Sequence, residues 1–387
     1  MALGDGLIIG IDIQDSCSQV CCYDEENKLC ESVNLKDGSV MMDNPVSLRE
    51  ARENVSGELV DMYVQFLAQL IDYAKKQKGR MKIEKICITV ELFEKPVLDM
   101  ISSVFERMMT PKEQWCVISH VESYGYYAYS QKQELYKNGV MLLDYREDGL
   151  HAHRMSSKRC EGVDYILCKS RTFAEQDILD GASRKKALDE IEEVLLTDIR
   201  SVMADRTLSA VYLTGDGFNV KSYPKELAKM LCAGRKAFTG QNLFVKGACY
   251  CGYESVNNDV FDNIVMICDN TIASGIELEI LDHGEDKRFR LVKAGTNWYM
   301  AGRNMDFILD DIRKIVFKIR PCPEGSEYEE VMDISDIPYR DSRMTRINLD
   351  IAFNSEQRIE ATVKDKGFGA LVKSSGRVVV QEIQLNV

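Results

Sequence analysis

Two aspartates, Asp12 and Asp144, end similar apolar runs at residues 7–12 and 139–144. Each run is followed by a short polar loop and a second strand-like segment. Two carboxylates on facing strand ends can hold a hydrated Mg²⁺ between them, and that ion bridges to nucleotide phosphates. The alternative is that each aspartate caps its own turn by accepting hydrogen bonds from nearby backbone N–H groups.

The loops after these aspartates lack the glycines that let a backbone approach phosphate oxygens closely. The first loop contains Gln14, Asp15 and Ser16, and the second contains a Tyr-Arg-Glu segment at residues 145–147. Side chains at 145–147 would fill the volume that phosphates need, and Glu147 would repel an anion. Arg146 would pair with a carboxylate or take the place of the cation. The sequence therefore predicts weak or absent ATP hydrolysis.

The elements around the two aspartates form two similar series. A helical stripe of apolar residues at 59–71 precedes a strand at 85–90, and a second stripe at 188–203 precedes a strand at 210–215. Asp12 and Asp144 are 132 residues apart, and Thr89 and Thr214 are 125 apart. This nearly constant offset predicts an internal duplication of one α/β unit, with a cleft between the copies. Chance similarity between ordinary α/β segments is the alternative.

The composition is that of a folded, acidic protein. The chain has 387 residues, of which 45% are apolar and 29% charged, and its net charge is −13. Such usage excludes wholesale disorder, and the charge argues against binding to nucleic acids or anionic membranes. The apolar runs are too short for a transmembrane helix, and no signal peptide is expected. We expect a cytoplasmic protein.

Thirteen scattered cysteines, without a C-x-x-C pair, indicate reduced thiols. Four of them cluster near the start, at Cys17, Cys21, Cys22 and Cys30, but alternation along a strand would direct them to different faces. Core packing is therefore favoured over zinc binding for this group.

The character of the sequence changes after residue 254. Residues 255–262 are polar and without periodicity, which predicts a linker. Short apolar runs then recur at roughly ten-residue spacing, a pattern typical of a β-sandwich. The predicted domains are 1–254 and 263–387, joined by 255–262.

Several segments, in order, resemble motifs of the actin and seventy-kilodalton heat-shock chaperone superfamily. Gly10-Ile11-Asp12 resembles the start of its first phosphate loop, G-I-D-L-G-T-T, and residues 140–151 lie where the second loop is expected. Residues 122–129, 211–217 and 242–250 resemble the connecting helix, the adenosine motif and the closing helix. Residues 269–277 and 346–367 resemble strands of the chaperones' peptide-binding β-sandwich.

This resemblance implies an actin-like, duplicated ribonuclease-H-like α/β domain with two lobes, followed by an all-β sandwich. It implies catalytic roles for Asp12, Glu122 and Asp144, with Mg²⁺ between the two aspartates if ATP binds. The implied nucleotide-binding set adds the following residues: Gln14, Asp15, Ser16, Arg146, Gly215, Asp216, Gly217 and Lys246. For Glu122, stabilisation of a helix N-terminus is the alternative.

The resemblance also implies a peptide site in the β domain, with Ile267, Ile272 and Ile276 as apolar anchors. The sequence ends at Val387, so a form without the chaperones' helical lid is expected. Two functions follow as hypotheses. One is a chaperone-like protein-binding or scaffold module with a degenerate nucleotide domain and weak or no ATP hydrolysis. The other is an active ATP-dependent chaperone-type ATPase that binds extended peptides.

Overall fold

The computed structural model describes residues 6–35, 38–146, 148–173, 192–203, 207–220, 222–310, 312–341 and 343–386. The chain divides into two compact units, Met1–Asp269 and Asn270–Val387. Among the helices described, none combines the length and apolar character needed to cross a membrane.

The first sheet of unit one is built around a fully buried central strand, β1. The strand order is β3-β2-β1-β5-β6, and β4 pairs with β2. β2 runs antiparallel to β1 and β3, whereas β5 is parallel to β1 and β6. The elements are β1 (Leu7–Ile13), β2 (Cys17–Asp24), β3 (Leu29–Ser32), β4 (Met41–Asp43), α1 (Leu48–Glu53), α2 (Gly57–Lys78), β5 (Ile83–Val90), α3 (Lys95–Arg107) and β6 (Trp115–Ser119).

The second sheet repeats the connection order of the first. Its order is β11-β10-β7-β8-β9-β12, with β8 antiparallel to β7 and β9, and with β10 parallel to β7 and β11. In both sheets the central strand continues on one side into an antiparallel meander of two further strands and has two parallel strands on the other side. The sequence offsets predicted such a repeat. The elements are β7 (Val140–Arg146), β8 (Gly149–Cys160), β9 (Val163–Phe173), α5 (Glu192–Met203), β10 (Ala210–Thr214), α6 (Lys225–Leu231), β11 (Lys236–Thr239) and β12 (Ile264–Ile267).

The expected apolar stripe at 188–203 is described only in part. Residues 192–203 form α5, in which Leu195 and Ile199 are fully buried. Leu188 and Ile191 lie outside the described residues. The described part of the stripe supports the helical periodicity on which the prediction depended.

Two helices, α4 (His120–Tyr129) and α7 (Leu243–Asn257), pack against each other at a glycine. A Cβ added at Gly247 would lie 1.9 Å from the Ser123 carbonyl oxygen. A Cβ added at Gly10 would lie 2.5 Å from the backbone of α7, so β1 also approaches this helix closely. Gly10 therefore lets α7 pack directly on β1, and Gly247 lets α4 pack directly on α7.

The predicted linker at 255–262 is not a linker in the structure. Residues 255–257 are the last turn of α7, and the buried Glu254 carboxylate accepts hydrogen bonds from the backbone N–H groups of Asp259, Val260 and Phe261. The next segment, β12, pairs in parallel with β9. The division therefore falls between Asp269 and Asn270, because strand pairing holds residues 264–267 in the first unit.

Unit two contains two four-stranded antiparallel sheets, ordered β14-β13-β16-β17 and β15-β18-β19-β20. Buried and exposed residues alternate along β18 and β19, so each of these strands turns one face to the interior. This pattern is that of a β-sandwich. The strands are β13 (Ser274–Asp282), β14 (Glu285–Val292), β15 (Arg303–Leu309), β16 (Lys314–Pro321), β17 (Tyr328–Asp333), β18 (Thr345–Ser355), β19 (Arg358–Asp365) and β20 (Val378–Gln384).

Candidate functional site

Asp12 and Asp144 occupy equivalent positions on the central strands of the two sheets, and both are buried. Asp12 Oδ1 lies 2.7 Å from His120 Nε2. Its second oxygen, Oδ2, accepts a hydrogen bond of 2.9 Å from the Gln14 side-chain amide. Both oxygens of this carboxylate are thus engaged by side chains of unit one.

Arg146 joins the two halves of this site. Its Nε donates to Asp144 Oδ2 over 2.6 Å, and its Nη1 lies 3.3 Å from Glu91 Oε1. Its Nη2 lies 3.3 Å from His120 Nδ1, on the opposite side of the imidazole ring from Asp12. We call these five residues, Asp12, Glu91, His120, Asp144 and Arg146, the Arg146 clasp. Burial alone would lower the pKa of Arg146, but the carboxylates of Asp144 and Glu91 raise it above its ordinary value, so the guanidinium stays charged.

Strand pairing explains why Glu91 and His120 belong to this site. β1 and β5 are parallel, with Asp12 opposite Thr89, so the residue after β5 lies at the edge where Asp12 lies. His120 is the first residue of α4, which directly follows β6, and its ring stacks on Phe244 at 3.9 Å. Sequence reasoning missed both residues. The available signal was the position of Glu91 immediately after a predicted strand that should pair with the Asp12 strand.

The first loop is held by hydrogen bonds to residues that are distant in the sequence. The Asp15 backbone N–H donates to Glu91 Oε2 over 2.9 Å, and the Asp15 carboxylate accepts from the Arg49 N–H at the start of α1. Ser16 is exposed, and its carbonyl accepts from the Asn44 N–H. The backbone N–H and the carboxylate of Asp15 are therefore both hydrogen-bonded within the protein.

The second loop differs from the expectation that all its side chains fill a phosphate pocket. Tyr145 is 2% exposed and lies in the core of the second lobe, where its ring contacts Phe218 edge-on. A Cβ added at Gly217 would lie 2.2 Å from this ring, and one at Gly215 would lie 2.4 Å from the Tyr145 carbonyl oxygen. The side-chain alternation of a strand explains the difference, because Asp144 and Arg146 share one face of β7 and Tyr145 takes the other. Glu147 lies outside the described residues.

Three further predicted residues have their own local environments. Glu122 forms a capping box at the start of α4, in which its carboxylate accepts from the Ser119 N–H over 2.9 Å. This is the alternative role that its position at a helix start predicted. Asp216 is exposed at the start of a short 3₁₀ turn. Lys246 lies in the first turn of α7, where its charge acts on the thiols of Cys21 and Cys30.

The three predicted peptide anchors do not form one surface. Ile267 ends β12 in the first unit, whereas Ile272 and Ile276 lie in the second. Ile272 is 0% exposed and Ile276 is 1% exposed, so neither offers a surface to a ligand. Ile272 and Ile276 are core residues of the second unit.

The residues at the two aspartates do not fit a magnesium–nucleotide complex. Mg²⁺ needs open carboxylate oxygens and room for several water molecules. Here the guanidinium of Arg146 lies against Asp144 and Glu91, and Asp12 is paired with His120 and Gln14. The site holds its own fixed cation where the ion would lie.

Comparison with known proteins gives family membership without an assigned activity. Residues 271–385 match a domain of unknown function, DUF8552. No curated protein matches the chain. Residues 35–269, which span most of the first unit, match a family of unknown function (DUF5716), C-terminal. The chain therefore belongs to the DUF5716 family.

Proposed function

We propose that this chain is a chaperone-like protein-binding or scaffold module, with an actin-type nucleotide cleft that its own Arg146 keeps closed. The protein-binding function does not depend on ATP hydrolysis. The observation that carries this proposal is the Arg146 clasp, in which one guanidinium contacts Asp144, Glu91 and His120. An internal cation performs the charge neutralisation that Mg²⁺ performs in an ATPase of this kind.

The repeated sheet topology supports the actin-type part of the proposal. Each sheet carries a buried aspartate at the same place on its central strand, and α4 and α7 cross beside them. The resemblance of five segments to superfamily motifs has the same order along the chain. Because the carboxylates of this cleft are already paired, we infer that the chain keeps the actin-type fold but does not hydrolyse ATP.

An apolar hollow in unit two supports the protein-binding part. It measures about 590 Å³ and lies between β15 and the segment at 368–371. Leu371 and Ile308 line it and are 80% and 55% exposed. Among the described strands, β15 is the terminal member of its sheet. An extended protein segment would pair with this edge and place alternate side chains in the hollow.

A titration with labelled ATP on the full chain, with and without Mg²⁺, tests the nucleotide part. We expect no saturable binding that depends on Mg²⁺ and no turnover above background, because the clasp occupies the site. Turnover at the level of an ordinary chaperone ATPase, abolished by Asp144→Ala, would overturn the proposal and favour an active ATPase.

A peptide-binding assay tests the partner part. Fluorescence anisotropy with labelled extended apolar peptides would report binding to the full chain. We expect binding that Leu371→Asp weakens and Leu281→Asp, at another exposed leucine of the same unit, leaves unchanged. Equal loss in both variants, or equal binding by both, would contradict a site at the hollow.

A further inference from the structure

Three thiols from three different elements meet in the first unit. Cys87 lies on β5, Cys116 on β6 and Cys251 on α7. Their Sγ atoms all lie within 4.8 Å of one another. Cys87 and Cys116 are direct partners in the parallel register of β5 and β6, and α7 presents Cys251 to the same face. All three are free thiols.

The surroundings of this thiol group are largely apolar. Cys87 is 0% exposed and Cys251 is 7% exposed, and Ile118, Ala248 and part of Tyr126 pack around them. Cys116, on the edge strand β6, is partly buried. The Cys116 thiol interacts with the thiols of Cys251 and Cys87, so the three side chains form one group.

We propose that Cys87, Cys116 and Cys251 bind one zinc ion. Three thiolates are the soft ligand set that zinc prefers. Zinc–sulfur bonds of about 2.3 Å in tetrahedral geometry place the sulfurs about 3.8 Å apart. The observed separations reach this value after side-chain shifts of about 1 Å or less.

The local charges favour a divalent ion. Three thiolates carry three negative charges, and Zn²⁺ returns two positive ones. The Lys85 ammonium, which acts electrostatically on Cys116, supplies a third. The buried Glu122 carboxylate, which acts electrostatically on Cys251, adds one negative charge. A divalent ion therefore balances this group better than a monovalent one, and unbalanced charge in an apolar interior is costly. A fourth coordination position is left, and Tyr126 lies beside Cys251.

This site is separate from the Arg146 clasp and does not rest on the proposed function. The ion would tie β5 and β6 to α7, the helix that packs on β1 and α4. Because the ligands are scattered over 165 positions of sequence, from Cys87 to Cys251, no short motif reveals them. The cysteine cluster that the sequence does show, at 17–30, contributes none of the three.

Metal loading of the full chain tests the proposal. The protein, purified with reductant and stripped with a chelator, would be dialysed against Zn²⁺ and its metal content measured. We expect one equivalent of zinc per chain and a higher thermal unfolding temperature, since an ion that binds the native state stabilises it. Cys251→Ser should lower zinc affinity by roughly 100-fold or more.

Two further variants serve as controls for the assignment of the zinc ligands. Cys22→Ser removes a buried cysteine of the same sheet outside the group and should bind zinc as the unaltered protein does. Cys249→Ser removes a thiol that hydrogen-bonds with Cys21 and Cys30, away from the proposed ligands. Retained zinc in Cys249→Ser is expected. Loss of zinc in Cys249→Ser but not in Cys251→Ser would overturn the assignment.

Substitution with Co²⁺ gives a readout that does not depend on variants. Thiolate coordination produces a sulfur-to-cobalt charge-transfer absorption, which we expect in the unaltered protein and in Cys22→Ser. Absence of this band, or failure of the unaltered chain to take up zinc, would overturn the proposal. Uptake of Cu⁺ alone, with no zinc, would also overturn it, because the charge argument requires a divalent ion.

Discussion

Removing the guanidinium of Arg146 would leave the carboxylates of Asp144 and Glu91 close together without a cation. Their side chains are 2% and 12% exposed, so water would compensate only in part. We expect Arg146→Ala to lower the free energy of unfolding by about 3–5 kcal/mol, as breaking a buried ion pair does. Urea denaturation followed by circular dichroism would measure it.

Arg146→Lys separates the charge from the geometry of the clasp. A lysine keeps the positive charge but cannot contact Asp144, Glu91 and His120 together in a planar fork, so we expect an intermediate loss. Arg159→Ala, at a side chain that is 71% exposed, should change stability by less than about 0.5 kcal/mol. A loss in Arg146→Ala no larger than in Arg159→Ala would show that the clasp contributes nothing to stability.

The buried His153, on β8, makes the free energy of unfolding depend on pH. Burial lowers its pKa to about 4, and its Nδ1 lies 2.9 Å from Ser170 Oγ. The unfolded chain takes up the proton near pH 6.5, whereas the folded chain does so only near pH 4. The folded state therefore loses stability as the pH falls from about 6.5 to 4, by up to about 3 kcal/mol from this residue.

Urea midpoints between pH 4 and 7.5 would show this dependence. His153→Gln retains a hydrogen-bonding side chain without a titration, so we expect a shallower slope. His283→Gln, at a side chain that is 91% exposed, provides the control. An unchanged slope in His153→Gln would assign the pH dependence to other groups.

At the scale of elements, the crossing of α4 and α7 limits the side chain that fits at Gly247. A Cβ there meets the backbone oxygen of Ser123 at 1.9 Å, and a backbone atom cannot move away as a side chain can. We expect Gly247→Ala to cost about 1–3 kcal/mol by overpacking. Thermal denaturation would measure the change.

Gly252, one and a half turns further along the same helix, is the matched control. A Cβ there would lie 3.1 Å from the Cγ2 methyl of Ile8, a side-chain contact that a shift of a few tenths of an ångström relieves. Alanine also favours a helix by up to about 1 kcal/mol over glycine. We expect Gly252→Ala to be close to neutral, and equal losses at both positions would contradict the close crossing.

Elements with strong periodicity could be predicted from the sequence, and contacts between elements could not. The runs at 85–90 and 210–215 correspond to strands β5 and β10, because buried strands need continuous or alternating apolar residues. β17, with the sequence YEEVMD, went unpredicted because only one of its residues is buried. The aspartates at the strand ends were found, whereas Glu91 and His120 were missed, since tertiary pairing alone brings them together.

At the scale of the whole molecule, the position of β12 indicates where the chain can be cut into two stable fragments. β12 belongs to the second sheet of unit one, in parallel pairing with β9. We expect fragment 1–262 to be less stable than fragment 1–269, because the shorter one loses this edge strand. Thermal unfolding followed by circular dichroism would compare them.

The complementary fragments supply the control. Residues 263–269 add no strand to the described sheets of unit two, so fragments 263–387 and 270–387 should have equal stability. A fragment 263–387 more stable than 270–387, or equal stability of 1–262 and 1–269, would contradict the assignment of β12 to unit one.

The Arg146 clasp also has a consequence for how the protein responds to changes in nucleotide concentration. A bound ligand stabilises a protein by an amount that grows with ligand concentration. A guanidinium that belongs to the chain is present once per molecule and cannot be diluted or consumed. Under the proposed function, the conformation around the clasp would therefore be insensitive to the ratio of ATP to ADP.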